Sequence, residues 1–187
     1  MRWQPNARGR LEQAAIALYG ESGFEQTTVA EIAKRAGLTE RTFFRYFTDK
    51  REVLFSGSEA LKTLLAEAVA GAAASASPID AVAAGLKAVA LVFSGRHEYA
   101  RQRGSIIAAN AELQERELIK LASLVSVVTE ALRRRGVMEP AARLAAEAGI
   151  AAFHVAFERW VDQTDQKDLW PFIQETLVAL KTVTAGH

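Results

Sequence analysis

The stretch TTVAEIAKRAGLTERTFFRYFTDKREVL, residues 27–54, decides the fold of the first part of the chain. Apolar side chains recur at helical spacing over residues 28–35 and again over residues 39–46, with Gly37 in the short connection between them. Two short helices joined by a turn that contains glycine form a helix-turn-helix, whose second helix enters the major groove of DNA. The stretch therefore predicts a DNA-binding unit.

Capping signals indicate where the helices of this stretch begin. Thr28 and Glu31 have the spacing of a capping box, in which the two residues satisfy each other's free backbone N–H groups. Thr39 is the predicted N-cap of the second helix, and Asp49 is the predicted cap of a long helix that runs to about residue 74. Local sequence alone thus predicts three helix starts.

The rest of the chain also has helical spacing and gives no strand pattern. The first helix is predicted over residues 6–22 and ends at Gly23. Later helices are predicted over residues 79–94, 111–135, 140–163 and 168–183, with a short element between Gly95 and Gly104. The sequence therefore predicts an all-α fold.

Composition limits the chemistry that the chain can perform. The 187 residues are 50% hydrophobic and 24% charged, and they include no cysteine. The absence of cysteine excludes disulfides, thiolate nucleophiles and cysteine-based zinc sites. No apolar run is long enough for a signal peptide or a membrane span, so we expect a cytoplasmic protein without a membrane partner.

Charge is distributed unevenly along the chain. Residues 1–51 carry nine Lys and Arg against six Asp and Glu, while the remaining residues carry 14 against 16. The first part is therefore mildly basic at +3 and the rest mildly acidic at −2. A polyanion partner is expected at one end of the chain only.

The helix predicted over residues 39–46 carries the side chains expected to read DNA. Arg41 and Arg45 are placed to bond guanine O6 and N7, and Phe44 is placed to contact a thymine methyl group. Thr42 is expected to reach a phosphate or a base. Residues at helix starts or edges are expected to bind phosphates, and these are Thr28, Thr39, Tyr46 and Lys50.

A small core is predicted to hold these helices rigid. Its members are spaced to face one another, and they are Ala15, Tyr19, Phe24, Val29, Ile32, Leu38, Phe43 and Phe47. Burying one large apolar side chain contributes about 1.5–3 kcal/mol, so a set of this size can hold a three-helix unit together.

Residues 10–54 resemble the DNA-binding domain of the TetR family of bacterial transcriptional regulators. The segments that carry the resemblance are Ala15–Tyr19, Gly23–Phe24, Thr27–Val29, Ile32–Ala33, Ala36–Thr39, Thr42–Phe47 and Lys50–Leu54. The family often has Gly at the position of Arg41 and Tyr at the position of Phe44. We therefore expect Arg41 to contribute to this chain's own base preference, and Phe44 to lack the phosphate bond of a tyrosine hydroxyl.

The resemblance implies a helix-turn-helix domain over residues 1–48 and a larger helical domain over residues 49–187. The larger domain is expected to bind a small-molecule effector and to form a homodimer through the last two helices. Small residues and an apolar stripe on those helices are the expected contacts, namely Ala145, Ala148, Gly149, Ala152 and Ala156 with Phe172, Ile173, Leu177 and Leu180. The effector is expected to shift the helix that starts at Asp49, which releases a repressor from its double-stranded DNA operator.

A pocket for a largely apolar effector is predicted from aromatic and aliphatic side chains with a few polar groups. The candidate lining residues are Phe93, His97, Arg101, Arg103, Ile106, Ile107, Asn110, Phe153, His154, Phe157 and Trp160. Arg101 and Arg103 are the candidates to meet an acidic group on the effector. Residues 101–124 also resemble a branch of the family associated with acyl-CoA-type effectors.

Two other functions stay open from the sequence. The chain could be an architectural DNA-binding protein without an effector, in which case a solid helical body is expected. A small helical enzyme is disfavoured, because the chain has no cysteine, only three scattered histidines and no nucleophile elbow or phosphate loop. His154 and Glu158 lie four residues apart without a specified third ligand, so no metal or other cofactor is predicted. Arginines 133–135 are interpreted as charges that suit a helix C-terminus.

Overall fold

The computed structural model describes residues 6–164 and 168–185, which fold as helices joined by short connections, with no strand among them. The helices in chain order are α1 (Ala7–Ser22), α2 (Val29–Arg35), α3 (Glu40–Tyr46), α4 (Glu52–Phe55), α5 (Ser58–Ala70), α6 (Pro78–Val92), α7 (His97–Ala108), α8 (Ala111–Arg134), α9 (Ala141–Val161) and α10 (Leu169–Thr184). The predicted all-α fold is confirmed. No single helix of the described segments is long and apolar enough to span a membrane, although α6 and α7, bent by 100°, pass that test as a pair.

The caps predicted around the helix-turn-helix are confirmed. The Thr28 N–H donates to Glu31 Oε2 at 2.8 Å, and the Glu31 N–H donates to Thr28 Oγ1 at 3.2 Å, which completes the capping box. Thr39 Oγ1 accepts from the Thr42 N–H at 3.2 Å. Gly23, with φ 84°, follows the last residue of α1, where a left-handed conformation favours glycine.

The single long helix predicted from Asp49 to about residue 74 is wrong. Ser56 is extended and Gly57 has φ 84°, so α4 ends after one turn and α5 begins as a separate helix. The Asp49 carboxylate nevertheless accepts from the N–H groups of Arg51 at 2.8 Å and Glu52 at 3.0 Å. The N-cap residue of α4 is Arg51 and not Asp49, so the predicted helix start was two residues too early. Helical periodicity on both sides of Gly57 concealed the break between α4 and α5.

The short element predicted between Gly95 and Gly104 is also wrong. Gly95 has φ 69° and precedes α7, whereas Gly104 lies inside α7, which continues to Ala108. A glycine within a helix lowers its stability but does not end it when the surrounding residues pack.

The chain divides into two compact units. The first unit contains the described residues up to Gly57 together with Gln102–Glu115, and the second contains Ser58–Arg101 together with the described residues from Arg116 onward. Helices α7 and α8 therefore each carry residues of both units. The functional boundary predicted between residues 48 and 49 stays a prediction.

The core of the first unit follows the sequence prediction closely. Six of the predicted members are buried, and these are Ala15, Tyr19, Phe24, Ile32, Phe43 and Phe47. Val29 and Leu38 are half-buried. The Tyr19 and Phe24 rings meet edge to face with centroids 5.1 Å apart, and the Phe43 and Phe47 rings lie 5.3 Å apart. The aromatic residues of the resemblance thus form the base of the helix-turn-helix.

The second unit is built around α6, which packs closely against α5 and α9. A Cβ atom at Gly149 of α9 would lie 2.4 Å from Val82 Cγ1, and one at Gly85 of α6 would lie 2.6 Å from Val69 Cγ2. Both contacts need glycine, because such distances are shorter than real Cβ atoms allow.

Much of the face predicted for dimer contact is consequently buried within the chain. Gly149, Ala152 and Ala156 of α9 are buried, as are Ile173 and Leu177 of α10. Ala145 and Ala148 are half-buried. Gly149 serves close packing within the second unit, which the sequence pattern alone did not distinguish from packing between subunits.

Arginines 133–135 divide between two roles. Arg135 donates to the carbonyl oxygens of Ala70, Ala72 and Ala73 at 2.7–3.0 Å and so caps the C-terminal end of α5. Arg133 and Arg134 lie in the last turn of α8 and pair with Glu130. These contacts agree with the interpretation of the arginines as charges at helix ends.

Candidate DNA-binding surface and effector region

Helix α3 presents its predicted reading side chains to solvent. Phe43 is fully buried and anchors the helix, while its neighbour Phe44 is 56% exposed and contacts the Phe43 ring edge to face at 5.5 Å. Arg41 and Arg45 are both exposed. Because base contacts require side chains that are able to enter a groove, this arrangement meets the first condition for reading DNA.

Arg45 and Tyr46 form a pair on the exposed side of α3. Arg45 Nη2 donates to Tyr46 Oη at 3.1 Å, and the guanidinium lies 4.9 Å from the centroid of the tyrosine ring. The contact restricts the conformations of both exposed side chains, so less conformational entropy is lost when either side chain binds a partner.

Two of the threonines predicted to bind phosphates, Thr28 and Thr39, already serve as helix caps. Thr28 Oγ1 donates to Glu31 Oε2 at 2.8 Å, and the hydroxyl oxygens of Thr39 and Thr42 lie 3.0 Å apart. All three side chains lie at the starts of α2 or α3, where free N–H groups favour anions. Their phosphate contacts stay predictions.

Lys50 has partners other than the predicted phosphate. Its half-buried ammonium donates to three carbonyl oxygens in the connection between α1 and α2, at 2.8 Å to Phe24 and at 3.0 Å to both Glu25 and Thr27. The phosphate contact of Lys50 stays a prediction. The sequence gave no indication of this loop contact, because the partners lie 23–26 residues earlier in the chain.

Two further arginines, which the sequence analysis did not assign, hold the turn and α2. Arg10 donates to the Ala36 carbonyl oxygen. Gly37 has φ 64°, and a Cβ atom there would lie 2.8 Å from Arg10 Nη2, so the turn between α2 and α3 requires glycine. Arg35 makes two bonds to the Glu21 carboxylate, at 3.1 and 2.5 Å, and this pairing lowers the pKa of Glu21.

Residues 102–115 are tied to α4 within the first unit. Arg103 Nε donates to the Leu54 carbonyl oxygen at 2.6 Å, and its guanidinium lies 5.2 Å from the Phe55 ring centroid. Arg51 donates to Asp49 Oδ2 at 3.0 Å and also pairs with Glu112. Arg103 was predicted to meet an acidic group on an effector, and in the structure it holds the end of α4.

The aromatic candidates for the effector region come together in the second unit. Phe157 is central, with ring centroids 5.2 Å from Phe93, 5.8 Å from Phe153 and 5.4 Å from Trp160. His97 stacks edge to face on Trp160 at 4.8 Å, and its Nε2–H donates to the Trp160 carbonyl oxygen at 2.8 Å. We call these five residues the aromatic cluster.

The other predicted lining residues do not join the aromatic cluster. Arg103, Ile107 and Asn110 belong to the first unit, where Asn110 Nδ2 donates to the Ile106 carbonyl oxygen at 2.7 Å. Arg101 is exposed and pairs with Glu98 at 3.0 Å. His154 is half-buried, and its Nε2 lies 3.6 Å from Glu158 Oε1. Within the part of the chain that the structure describes, no three histidine or acidic side chains gather in a group that could hold a metal ion.

Comparison with known families assigns both parts of the chain. Residues 12–56 match the family described as bacterial regulatory proteins, tetR family, and residues 76–185 match the MftR C-terminal domain. The chain is 33% identical over 82 residues to the transcriptional regulator TcmR of Streptomyces glaucescens, covering 44% of this chain and 36% of that protein. It is 36% identical over 47 residues to a fatty acid metabolism regulator of Bacillus subtilis (strain 168), covering 25% of this chain and 24% of that protein.

The matches to curated relatives span only about a quarter to a third of the length of those proteins.

Solved structures share the fold over most of the chain. FadR of Thermus thermophilus with lauroyl-CoA has a TM-score of 0.53 at 22% identity over 93% of both chains. FadR of B. subtilis with stearoyl-CoA has a TM-score of 0.64 at 22% identity, covering 92% of this chain and 96% of that one. SmeT, the repressor of an efflux pump of Stenotrophomonas maltophilia, has a TM-score of 0.62 at 21% identity, covering 94% and 89%.

Proposed function

Because the chain belongs to the TetR family of bacterial transcriptional regulators, which are not enzymes, we propose that it is a dimeric repressor that a small, largely apolar ligand releases from its operator. The observation that carries this proposal is the exposed face of α3. Arg41, Phe44 and Arg45 are exposed on this helix, and buried Phe43 anchors it. A rigid helix with two exposed guanidinium groups and one exposed aromatic ring suits guanine edges and thymine methyl groups in the major groove.

The proposed homodimer uses the outer faces of α9 and α10. Leu144 and Val155 of α9 are 64% and 49% exposed, and they lie eleven residues apart, which is close to three helical turns. Val178 of α10 is 64% exposed. Apolar side chains exposed on helices whose other faces form the core favour contact with a second copy. A two-fold dimer would present two α3 helices to successive major grooves, roughly 34–36 Å apart.

A dimer test follows directly from this assignment. Val155→Glu should place a carboxylate in the interface twice, once from each subunit, and should shift the protein to monomer in sedimentation velocity. Leu118→Glu, at a residue of α8 that is 62% exposed, is the matched control and should leave the mass unchanged. A Val155→Glu protein that stays dimeric would contradict the proposed interface.

The proposed ligand binds beside the aromatic cluster. Phe93 and Phe157 are only half-buried, so they offer apolar ring surface that a ligand can cover. Relatives of the same fold are described in complex with lauroyl-CoA, stearoyl-CoA and triclosan, all of which carry a large apolar part. A long acyl chain or an aromatic body is therefore the ligand chemistry that we propose.

The ligand signal is proposed to reach α3 through α7 and α8. The long helix expected to carry the signal is interrupted at Gly57, whereas α7 and α8 each contain residues of both units. Arg103 and Glu112, on these two helices, contact α4 or its start within the first unit. To change the protein from mostly bound to mostly free, the ligand must favour one state by roughly 5.5 kcal/mol.

The experiment is selection of bound DNA from a random pool, followed by titration of the recovered site with lauroyl-CoA, stearoyl-CoA and triclosan. We expect a palindromic site and loss of fluorescence anisotropy as at least one ligand saturates the protein. Failure to recover any preferred sequence would contradict the regulator. A ligand that saturates the protein by calorimetry without changing DNA affinity would instead favour an architectural DNA-binding protein.

A further inference from the structure

The connection between α3 and α4 places the Lys50 ammonium against the backbone of another connection, the one between α1 and α2. Its three N–H groups have three acceptors, the carbonyl oxygens of Phe24, Glu25 and Thr27, at 2.8, 3.0 and 3.0 Å. An ammonium has three donors and no acceptor, so this arrangement uses its full capacity. We call these contacts the Lys50 clamp.

Neighbouring groups fix the clamp on both sides. The ammonium lies 4.5 Å from the centroid of the buried Phe24 ring, a favourable cation–π distance. The hydroxyl of buried Tyr19 donates to the Lys50 carbonyl oxygen at 2.6 Å. Thr27 Oγ1 donates to the Gly23 carbonyl oxygen at 2.8 Å, which closes the connection on itself. Both the side chain and the backbone of Lys50 are therefore held.

The clamp ends where α2 begins. Thr27, the last acceptor of the clamp, directly precedes Thr28, the N-cap of α2. Holding the Thr27 carbonyl oxygen thus fixes where the capping box and the first N–H groups of α2 lie. Since α2 packs against α1 and α3, the clamp also supports the helix that carries Arg41 and Arg45.

We propose that Lys50 is a positioning residue for DNA binding: it acts through the connection between α1 and α2 and does not itself bind a phosphate. The inference rests on the proposed function of α3. To reach a phosphate the ammonium would have to release its carbonyl oxygens, and a partly buried acceptor left without a donor is unfavourable. Its charge is already compensated by three carbonyl dipoles and a ring face.

Salt dependence separates positioning from phosphate contact. Each phosphate contact contributes about 0.9 to the slope of log K against log salt concentration, so loss of one contact should reduce the slope by that amount. Lys50→Met keeps the apolar stem and removes the ammonium. We expect it to weaken binding to the selected DNA site at least tenfold while the salt slope stays within about 0.3 of the wild-type value, well below the change for one phosphate.

Lys87→Met is the charge-matched control. Lys87 is exposed in the second unit, with Nζ 5.7 Å from the Trp170 ring centroid, so its loss changes net charge equally without touching the clamp. It should bind DNA as the wild type does. A Lys50→Met protein that keeps wild-type affinity, or that loses about 0.9 from its salt slope, would overturn the proposal.

Amide hydrogen exchange in the free protein provides a second readout that does not depend on DNA. In Lys50→Met, the amides of Thr28 and Glu31 should exchange faster, because the capping box loses its support, while amides of α5 and α6 keep their protection. Unchanged exchange at Thr28 and Glu31 would contradict the clamp even if DNA binding weakened. If the wild type bound no DNA, the proposed function would fail and this readout would still test the clamp.

Tyr19→Phe supplies an independent variant in case Lys50→Met does not fold. It removes only the hydroxyl that holds the Lys50 carbonyl oxygen, and Tyr19 is buried, so no phosphate contact is lost. We expect a severalfold weaker affinity, an unchanged salt slope and faster exchange at Thr28. Wild-type affinity and exchange in Tyr19→Phe would overturn the proposal.

Discussion

The two units of this chain hold their candidate functional groups by different means. In the first unit, exposed side chains stand on short helices that polar contacts fix in place, such as Arg35 with Glu21 and Arg10 with the Ala36 carbonyl oxygen. In the second unit, the candidate effector region is a set of rings from α7, α9 and the residue that follows α6, and these rings pack against one another. The first arrangement suits a fixed reading surface, and the second suits a region that repacks when a ligand enters.

The largest expected effect tests the close packing of helices in the second unit. Gly149→Val places a branched side chain where a Cβ atom alone would lie 2.4 Å from Val82 Cγ1. Overpacking of this kind costs about 1–3 kcal/mol, so the free energy of unfolding should fall by that amount in urea denaturation. The melting temperature should fall with it by several degrees.

Gly20→Ala is the matched control in the other unit. Gly20 lies within α1, and a Cβ atom added there would meet no neighbouring atom within 4 Å, so alanine should stabilise the protein by roughly 0.5–1 kcal/mol. Equal loss of stability in both variants would mean that close packing around α6 does not distinguish the units.

The same difference determines how much the sequence could predict. The capping box of Thr28 and Glu31 is a contact over three residues, so its spacing reveals it. The pairing of Arg51 with Glu112 joins residues 61 positions apart, and no local pattern encodes it. The break at Gly57 was missed for a related reason, because apolar periodicity on both sides of it reads as one helix.

Residue type carried more information than position in the candidate effector region. The five members of the aromatic cluster were all among the predicted lining residues. Large apolar rings near α6, α7 and α9 tend to be buried against one another, so their residue type alone indicates that they cluster. Arg103 was assigned to an acidic ligand because of its charge. Its contact with the Leu54 carbonyl oxygen was not predicted, because that partner is a backbone group 49 residues away in the sequence.

The second prediction tests the reading surface. Arg45→Ala should cost about 1–3 kcal/mol of binding free energy at one base-pair position and should relax preference there, because a guanidinium that bonds one guanine is lost. The measurement is competition binding over a panel of single-base variants of the selected site. A uniform loss over the whole panel would mean that Arg45 binds the backbone and not a base.

Arg134→Ala removes an equivalent charge from the end of α8, where Arg134 Nε lies 3.3 Å from Glu130. It should leave both affinity and base preference unchanged. If it reproduced the effect of Arg45→Ala, long-range charge and not a specific contact would explain the loss.

The third prediction tests the packed rings directly. Phe157→Ala removes contacts with three rings, and each aromatic pair contributes about 0.5–1.5 kcal/mol beyond simple burial. We expect the ligand concentration for half-maximal release of DNA to rise severalfold. DNA affinity without ligand should stay within about twofold, which corresponds to about 0.4 kcal/mol, because Phe157 belongs to the second unit and α3 to the first. Anisotropy titrations with and without ligand separate the two quantities.

Phe172→Ala is the control, because Phe172 is half-buried in α10 and lies 5.8 Å from the Arg159 guanidinium, outside the aromatic cluster. It should lower stability somewhat without changing the ligand response. If both variants raised the ligand requirement equally, the response would reflect stability of the second unit as a whole and not contact with the rings.

The smallest expected effect is a change in the pH dependence of stability, and it should arise in the first unit. Hydrogen bonds from the Thr28 backbone and hydroxyl lower the pKa of Glu31 below its ordinary value of 4.5. A carboxyl group with a lowered folded-state pKa contributes stability above its ordinary pKa, and that contribution is lost as pH falls from about 4.5 through the folded-state value. Glu31→Gln keeps an acceptor for the Thr28 N–H but cannot titrate, so its stability should fall less steeply than the wild type's over that interval. Urea denaturation at a series of pH values measures the difference in the free energy of unfolding. Parallel curves for the two proteins would mean that the charge of Glu31 in the capping box contributes no pH dependence to stability.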